Sequence, residues 1–267
     1  MLLREVEYAR PETVDEAVRL LSSRDNARPL AGGQSLVNVM KVRVASPDLV
    51  VDLNRIPDLR QVRVTDDGSL ELGAMVTYAE LIASDEVRSA RSILADVAVT
   101  IADVQVRNRG TIGGNICSND PTNHFPPLLA ALQATMTIRG PESERTVSAE
   151  EFFEGVFATA AHPGELLTGI RVPPKGEARD GWAAVTLGTD GTGIVNVAAC
   201  VTGGTARIAI GCVAATPAVV TSPADETEVR DAVRSAQLDP PSDVHASADY
   251  RRHLAEVLAA RAVREAA

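Results

Sequence analysis

Two short glycine-rich segments, Ala31-Gly32-Gly33-Gln34-Ser35-Leu36 and Thr111-Ile112-Gly113-Gly114-Asn115, constrain this 267-residue chain more than any other feature. Each sets a Gly pair beside a hydroxyl and an amide side chain. Glycine lets backbone N–H groups approach a phosphate with no Cβ in the way, and successive N–H groups in a turn form an anion-binding concavity. A single Gly pair is compatible with an ordinary turn. Two of them with the same accompanying chemistry point to one diphosphate gripped from two sides, so the fold has to bring distant parts of the chain together. No Lys follows either pair, as a Walker A loop requires, and no G-x-G-x-x-G opens a helix.

Local patterns around these segments alternate between helix and strand. Thr13-Val14-Asp15-Glu16 reads as a capping box ahead of a helix through Leu21, and Thr77-Tyr78-Ala79-Glu80 and Ser148-Ala149-Glu150-Glu151 open two more. A short strand delivers the first glycine segment. Asp48–Leu53, Ser69–Ala74 and Leu166–Val172 read as strands, the last ended by Pro173-Pro174. Ser92 to Asp103 carries apolar residues on a helical period, and the stretch Arg107 to Asn119 that follows reads as irregular. Beyond the Pro-Pro-Lys-Gly-Glu linker, Trp182–Leu187, Ile194–Thr202 and Ala206–Val213 form a strand meander, with helices near Glu226–Ser235 and Asp249–Glu265.

Composition narrows the function classes. A net charge of −10 disfavours nucleic acid and anionic membrane surfaces as partners, and eight aromatic residues are too few for a base-stacking platform. Cys117, Cys200 and Cys212 have no C-x-x-C spacing, so they do not ligate an iron–sulfur cluster by a usual pattern and read as packed, reduced thiols. His162, His245 and His253 lack metal-ligand spacing, and no other catalytic motif emerges. The charged start Arg4-Glu5 and the lack of a long apolar run predict a cytoplasmic protein without a membrane span.

The order and spacing of several motifs resemble the FAD-binding medium subunit of the molybdenum hydroxylases, the carbon monoxide dehydrogenase and xanthine dehydrogenase group. These motifs are Tyr8-Ala9-Arg10-Pro11, Arg28 through Leu36, Val51-Asp52-Leu53, Leu72-Gly73-Ala74-Met75, Ile101-Ala102-Asp103, Gln105-Val106-Arg107, Arg109 through Asn115, Asp120-Pro121, Pro126-Pro127-Leu128-Leu129-Ala130 and Gly164-Glu165-Leu166-Leu167. The resemblance implies an α+β chain: a two-part PCMH-type FAD-binding fold, residues 1–56 and 57–174, and a small C-terminal α+β domain with an antiparallel sheet, 175–267. It implies that Leu30 to Leu36 and Thr111 to Asn115 hold FAD, with backbone N–H groups of Ala31–Ser35 and Thr111–Asn115 on the pyrophosphate. Ile101 and Ala102 would lie beside the adenine or the ring system, and Leu166 and Leu167 on the isoalloxazine. Electrons would come from a separate two-iron, two-sulfur subunit fed by a molybdopterin subunit and would leave to NAD, a quinone or oxygen.

Three departures from the family pattern stand out. His124 replaces an Asp, either as a neutral acceptor for a flavin-chain hydroxyl or as a surface loop residue. Gln34 replaces a His. Residues 186–194 lack the usual basic cluster and Asp-Tyr pair, leaving Arg107, Arg109, Arg171 or Lys175 as substitute charges. The alternative function is a free-standing FAD-dependent oxidoreductase acting directly on a small organic substrate, and neighbouring genes for the other two subunits would separate the readings.

Overall fold

The computed structural model describes residues 3–188 and 191–266, so Thr189 and Asp190 of the departing 186–194 stretch lie outside the described residues. Three main sheets organise the chain. In the first, Leu49–Asp52 is the middle strand, parallel to both Glu7–Ala9 and Ala27–Leu30. All four residues of this strand are buried, as expected where a parallel sheet is covered. Helix Val14–Ser22 covers the sheet with Ala17, Val18 and Leu21. Thr13 caps it as predicted, but Glu16 reaches back to the N–H of Glu12 and not to Thr13, so the box is one-sided.

The second sheet is antiparallel, in the order Val62–Val64, Leu70–Gly73, Leu166–Val172, Thr135–Arg139, Glu144–Ser148. Its middle strand enters nearly a hundred residues after its neighbour at Leu70, a pairing that no local signal announces. Helix Phe125–Ala131 shares the core of this sheet and packs on the third sheet described below; it is buried at every position, the expected state of a helix apolar all round. Both remaining predicted capping boxes, Thr77 with Glu80 and Ser148 with Glu151, are reciprocal.

The third sheet is a four-stranded antiparallel meander, Arg179–Leu187, Thr192–Thr202, Thr205–Gly211 and Ala218–Pro223. It is buried on both faces, and its side chains alternate accordingly. Val195, Val197 and Ala199 join the core under helix Ala248–Glu265, while Ala198 and the half-buried Cys200 face the second sheet's core. Gly181 allows the helix to sit against the sheet, since a Cβ there would come within 1.9 Å of the Ala262 carbonyl oxygen. The helix Glu226–Ser235 has the predicted bounds, and the strand Ala218–Pro223 extends the meander beyond the three predicted strands.

The predicted helix over 92–103 stops at Val99, a short helix Val104–Arg107 follows, and the stretch from 107 expected to be irregular holds a second short helix, Ile112–Ser118. Asp103 and Thr111 cap them by accepting from the N–H groups of Val106 and Gly114. Two glycines in the first turn lower helix propensity by about 1 kcal/mol each, which hides the second helix from composition. Thr111 and the i, i+4 pair Ile112 and Ile116, both fully buried, are the signals that reveal it.

Candidate functional site

The first glycine segment follows strand Ala27–Leu30 where the parallel sheet ends. Leu30 is level with Asp52 in the neighbouring strand. Asp52 is the anchor of this end: Asn54 donates to its carboxylate from both its N–H, at 2.9 Å, and its side chain, at 2.6 Å, and the Tyr8 hydroxyl donates to it as well. Burial alone would raise the Asp52 pKa, but the hydrogen bonds from Tyr8 and Asn54, with Arg10 nearby, outweigh burial and hold it below the ordinary value. Asn54 in turn donates to the Ala31 carbonyl at 3.1 Å, which fixes the start of the segment. Gly33 then turns with φ +75°, a left-handed conformation that suits glycine. Among the described residues, the N–H groups of Gly32, Gly33, Gln34, Ser35 and Leu36 donate to no protein acceptor. Gln34 and Ser35 are exposed, and the Ser35 hydroxyl makes no cap bond to the helix Leu36–Lys41 that follows.

The second segment differs. The Ile112 N–H donates to Val76 O and that of Gly113 to Ala74 O, each at 2.9 Å, and that of Asn115 donates to Thr111 O at 3.0 Å. The Gly114 N–H donates to the Thr111 hydroxyl oxygen at 3.0 Å. Four of the five backbone donors expected to bind pyrophosphate are therefore committed to the protein, because this stretch is a capped helix start docked on the second sheet. Its glycines serve close approach instead: a Cβ on Gly113 would come within 2.4 Å of the Ala74 carbonyl oxygen. What the segment leaves free is the buried Asn115 Oδ1, which has no hydrogen-bond partner.

The two segments meet. A Cβ on Gly32 would stand 2.0 Å from the Arg109 carbonyl oxygen, and one on Gly114 would touch the Ala31 methyl at 3.5 Å. A polar chain ties them from behind. Arg60 donates to Asn54 Oδ1 at 3.1 Å and to Glu80 at 3.3 Å, Glu80 accepts from the Thr77 N–H at 2.7 Å, and Thr77 bridges to Thr111. A cavity of about 400 Å³ opens beside this junction, lined by Asn54, Arg60, Thr77, Glu80, Asn108 and Arg109 among others. Tyr8, Asp52, Asn54 and Arg60 hold the first segment in place and were not among the residues predicted from sequence. Tyr8 and Asp52 do lie in motifs that carry the family resemblance, whereas nothing in the sequence pointed to Asn54 and Arg60.

Ile101 and Ala102 form a turn with Ala102 at φ +46°. Gly191 of the third unit presses on it, where a Cβ would be 2.3 Å from the Thr100 carbonyl oxygen. Leu166 and Leu167 are 4% and 3% exposed. Leu166 belongs to the first core and Leu167 to the second, so neither presents an open side-chain surface to a ring.

His124 is buried, which removes the surface-loop reading. Its Nδ1 lies 3.1 Å from the Asn196 side-chain nitrogen, and its ring meets Trp182 edge-on at 5.3 Å. Burial pushes its pKa down to about 4, so the ring is neutral at pH 7. The Asn196 amide against Nδ1 and the Gly191 backbone beside the ring tie the imidazole into its surroundings. His124 thus sits in the seam between the second and third sheets. Cys117 packs on the second core with its thiol pushed up to about 12 by burial, the inert packing role expected of it.

Comparison with known proteins fits this geometry. Residues 4–175 match the family described as FAD binding domain in molybdopterin dehydrogenase, and residues 180–266 match the CO dehydrogenase flavoprotein C-terminal domain. The chain is 39% identical to the carbon monoxide dehydrogenase medium chain of Afipia carboxidovorans, over 97% of this chain and 96% of that one. It is 34% identical to the glyceraldehyde dehydrogenase medium chain of Sulfolobus acidocaldarius, over 98% and 99%. A crystal structure of Cu,Mo-CO dehydrogenase superposes with a TM-score of 0.93 at 36% identity, covering 100% of this chain and 99% of that chain. FAD fits the residues present: a glycine turn with five unspent N–H donors faces a second segment that offers a buried, unpartnered amide oxygen. With its fold, its two glycine segments and its sequence in agreement, the chain belongs to the FAD-binding subunits of the molybdopterin dehydrogenases.

Proposed function

We propose that this chain is the medium subunit of a molybdenum-containing dehydrogenase complex in the cytoplasm. In that role it takes electrons from a two-iron, two-sulfur subunit, itself served by a molybdopterin subunit, and passes them to an outside acceptor such as NAD, a quinone or oxygen. The observation that carries the reading is the contact between Gly32 and Arg109, which brings the two glycine segments to one place. Bound FAD supplies the exchange between two-electron and one-electron chemistry that such a relay needs.

The protein's own residues have simpler tasks. The N–H groups of Gly32 to Leu36 and the Ser35 hydroxyl hold the diphosphate, Asn115 offers Oδ1 to a hydroxyl of the cofactor, and Thr111 orients the second segment. Ile101 and Ala102 border the ring system. Leu166 and Leu167 shape the floor of the cleft from within the two cores, and His124 acts at a distance by fixing the third unit on the second. The units are 1–56, 57–174 and 175–267.

Visible absorption spectra of the purified chain, before and after anaerobic NADH, test the reading. A flavin spectrum bleached by NADH supports a nicotinamide acceptor, and one left unchanged by NADH points to a quinone or oxygen. A protein that stays colourless with added FAD overturns the reading.

A further inference from the structure

Most arginines whose contacts bear on this site are neutralised. Arg60 pairs with Glu80, Arg145 with Glu165, and Arg171 with both Asp67 and Glu71. Arg171 is thereby excluded as a substitute cation near the flavin. Arg109, which lines the junction cavity, makes no ion pair among the described residues but is exposed, whereas Arg107 is held in place. Arg107 is half-buried and likewise makes no ion pair among the described residues. Its guanidinium donates to two backbone carbonyls, Ile101 O at 2.9 Å and Ala102 O at 2.6 Å. Those carbonyls flank the left-handed Ala102, and the nearby Asp103 spends its carboxylate on the Val106 N–H as a helix cap. A positive charge is therefore held at this turn by two carbonyls, without a salt bridge to the neighbouring Asp103 carboxylate.

We propose that Arg107 is the cation of the flavin site: its charge, free of any salt bridge among the described residues and fixed by the Ile101 and Ala102 carbonyls, favours reduction of the bound cofactor. This rests on the reading of the chain as an FAD subunit whose ring lies beside that turn. Reduction adds electron density to the ring, and a fixed cation in a partly desolvated setting lowers the energy of the reduced form more than that of the oxidised form. A merely structural role is the competing explanation, since the same guanidinium holds a strained turn. Glycine at position 102 separates the two, because φ +46° costs glycine nothing and the turn then needs no clamp.

The experiment compares FAD midpoint potentials, by spectroelectrochemistry on the full chain, for wild type, R107Q, R107K and the double variant R107Q/A102G. R107Q is expected to shift the reduction equilibrium about tenfold toward oxidised FAD, about 30 mV for a two-electron couple. R107K should keep most of the wild-type potential. The double variant should bind FAD as wild type does while keeping the lowered potential. An unchanged potential in R107Q, a wild-type potential in the double variant, or failure of the double variant to take up FAD each overturns the charge role. A wild-type chain that binds no FAD overturns the function reading itself and so is distinguishable from all three.

Discussion

The two glycine segments share a composition and have opposite uses. In 31–36 the backbone leaves a strand through a left-handed glycine and keeps its donors unspent. In 111–115 the backbone starts a helix, spends its donors on the second sheet and on Thr111, and uses glycine to fit against neighbours. Identical local chemistry thus separates into a binding surface and a backing plate. What decides between them is whether the preceding residue can cap a helix and whether a sheet edge lies within reach of the N–H groups.

The hardest test of this contrast is Gly32→Ala. Its methyl would collide with the Arg109 carbonyl, a backbone group that cannot swing aside. We expect a stability loss of about 3 kcal/mol in urea unfolding together with loss of FAD binding. Unchanged stability would mean that the segments do not press on each other.

The surroundings of the second segment should behave as a dry, prepacked support, and pH reads this through His124. Its pKa falls to about 4 in the fold from an ordinary 6.5, so the unfolded chain carries an extra proton between those values. Its contribution is complete above pH 6.5 and is lost as pH falls toward 4, up to about 3 kcal/mol. Thermal unfolding across that window should show the decline, and His124→Asn should flatten it.

Two smaller substitutions divide the segments directly. Thr111→Val removes the cap on Gly114 and should cost about 1 kcal/mol of stability, measured by chemical denaturation. Ser35→Ala removes a hydroxyl that caps nothing and should leave apoprotein stability within about 0.5 kcal/mol. Yet it should weaken FAD binding, as read by fluorescence titration. If Ser35→Ala destabilised the apoprotein as much as Thr111→Val, the division would fail.

Much of this was legible from sequence wherever short-range signals decide. Strand Leu166–Val172 and helix Glu226–Ser235 have the expected bounds, because a double proline ends the first and an Asp cap starts the second. The glycine segments were found by residue type alone. Their different uses were not, because the acceptors Ala74 and Val76 come from a strand end and turn that local pattern does not connect to residue 112. His124 was open for the same reason. Its burial depends on Asn196 and Trp182, which arrive about sixty to seventy residues later in another sheet, although the fully apolar helix it precedes carried a hint.

Leu166 and Leu167 are neighbours on one strand, and alternation along that strand sends them into different cores. Such a strand is a common wall, like the party wall of two houses. The units on either side cannot swing apart on a hinge without withdrawing both leucines from their packing at once.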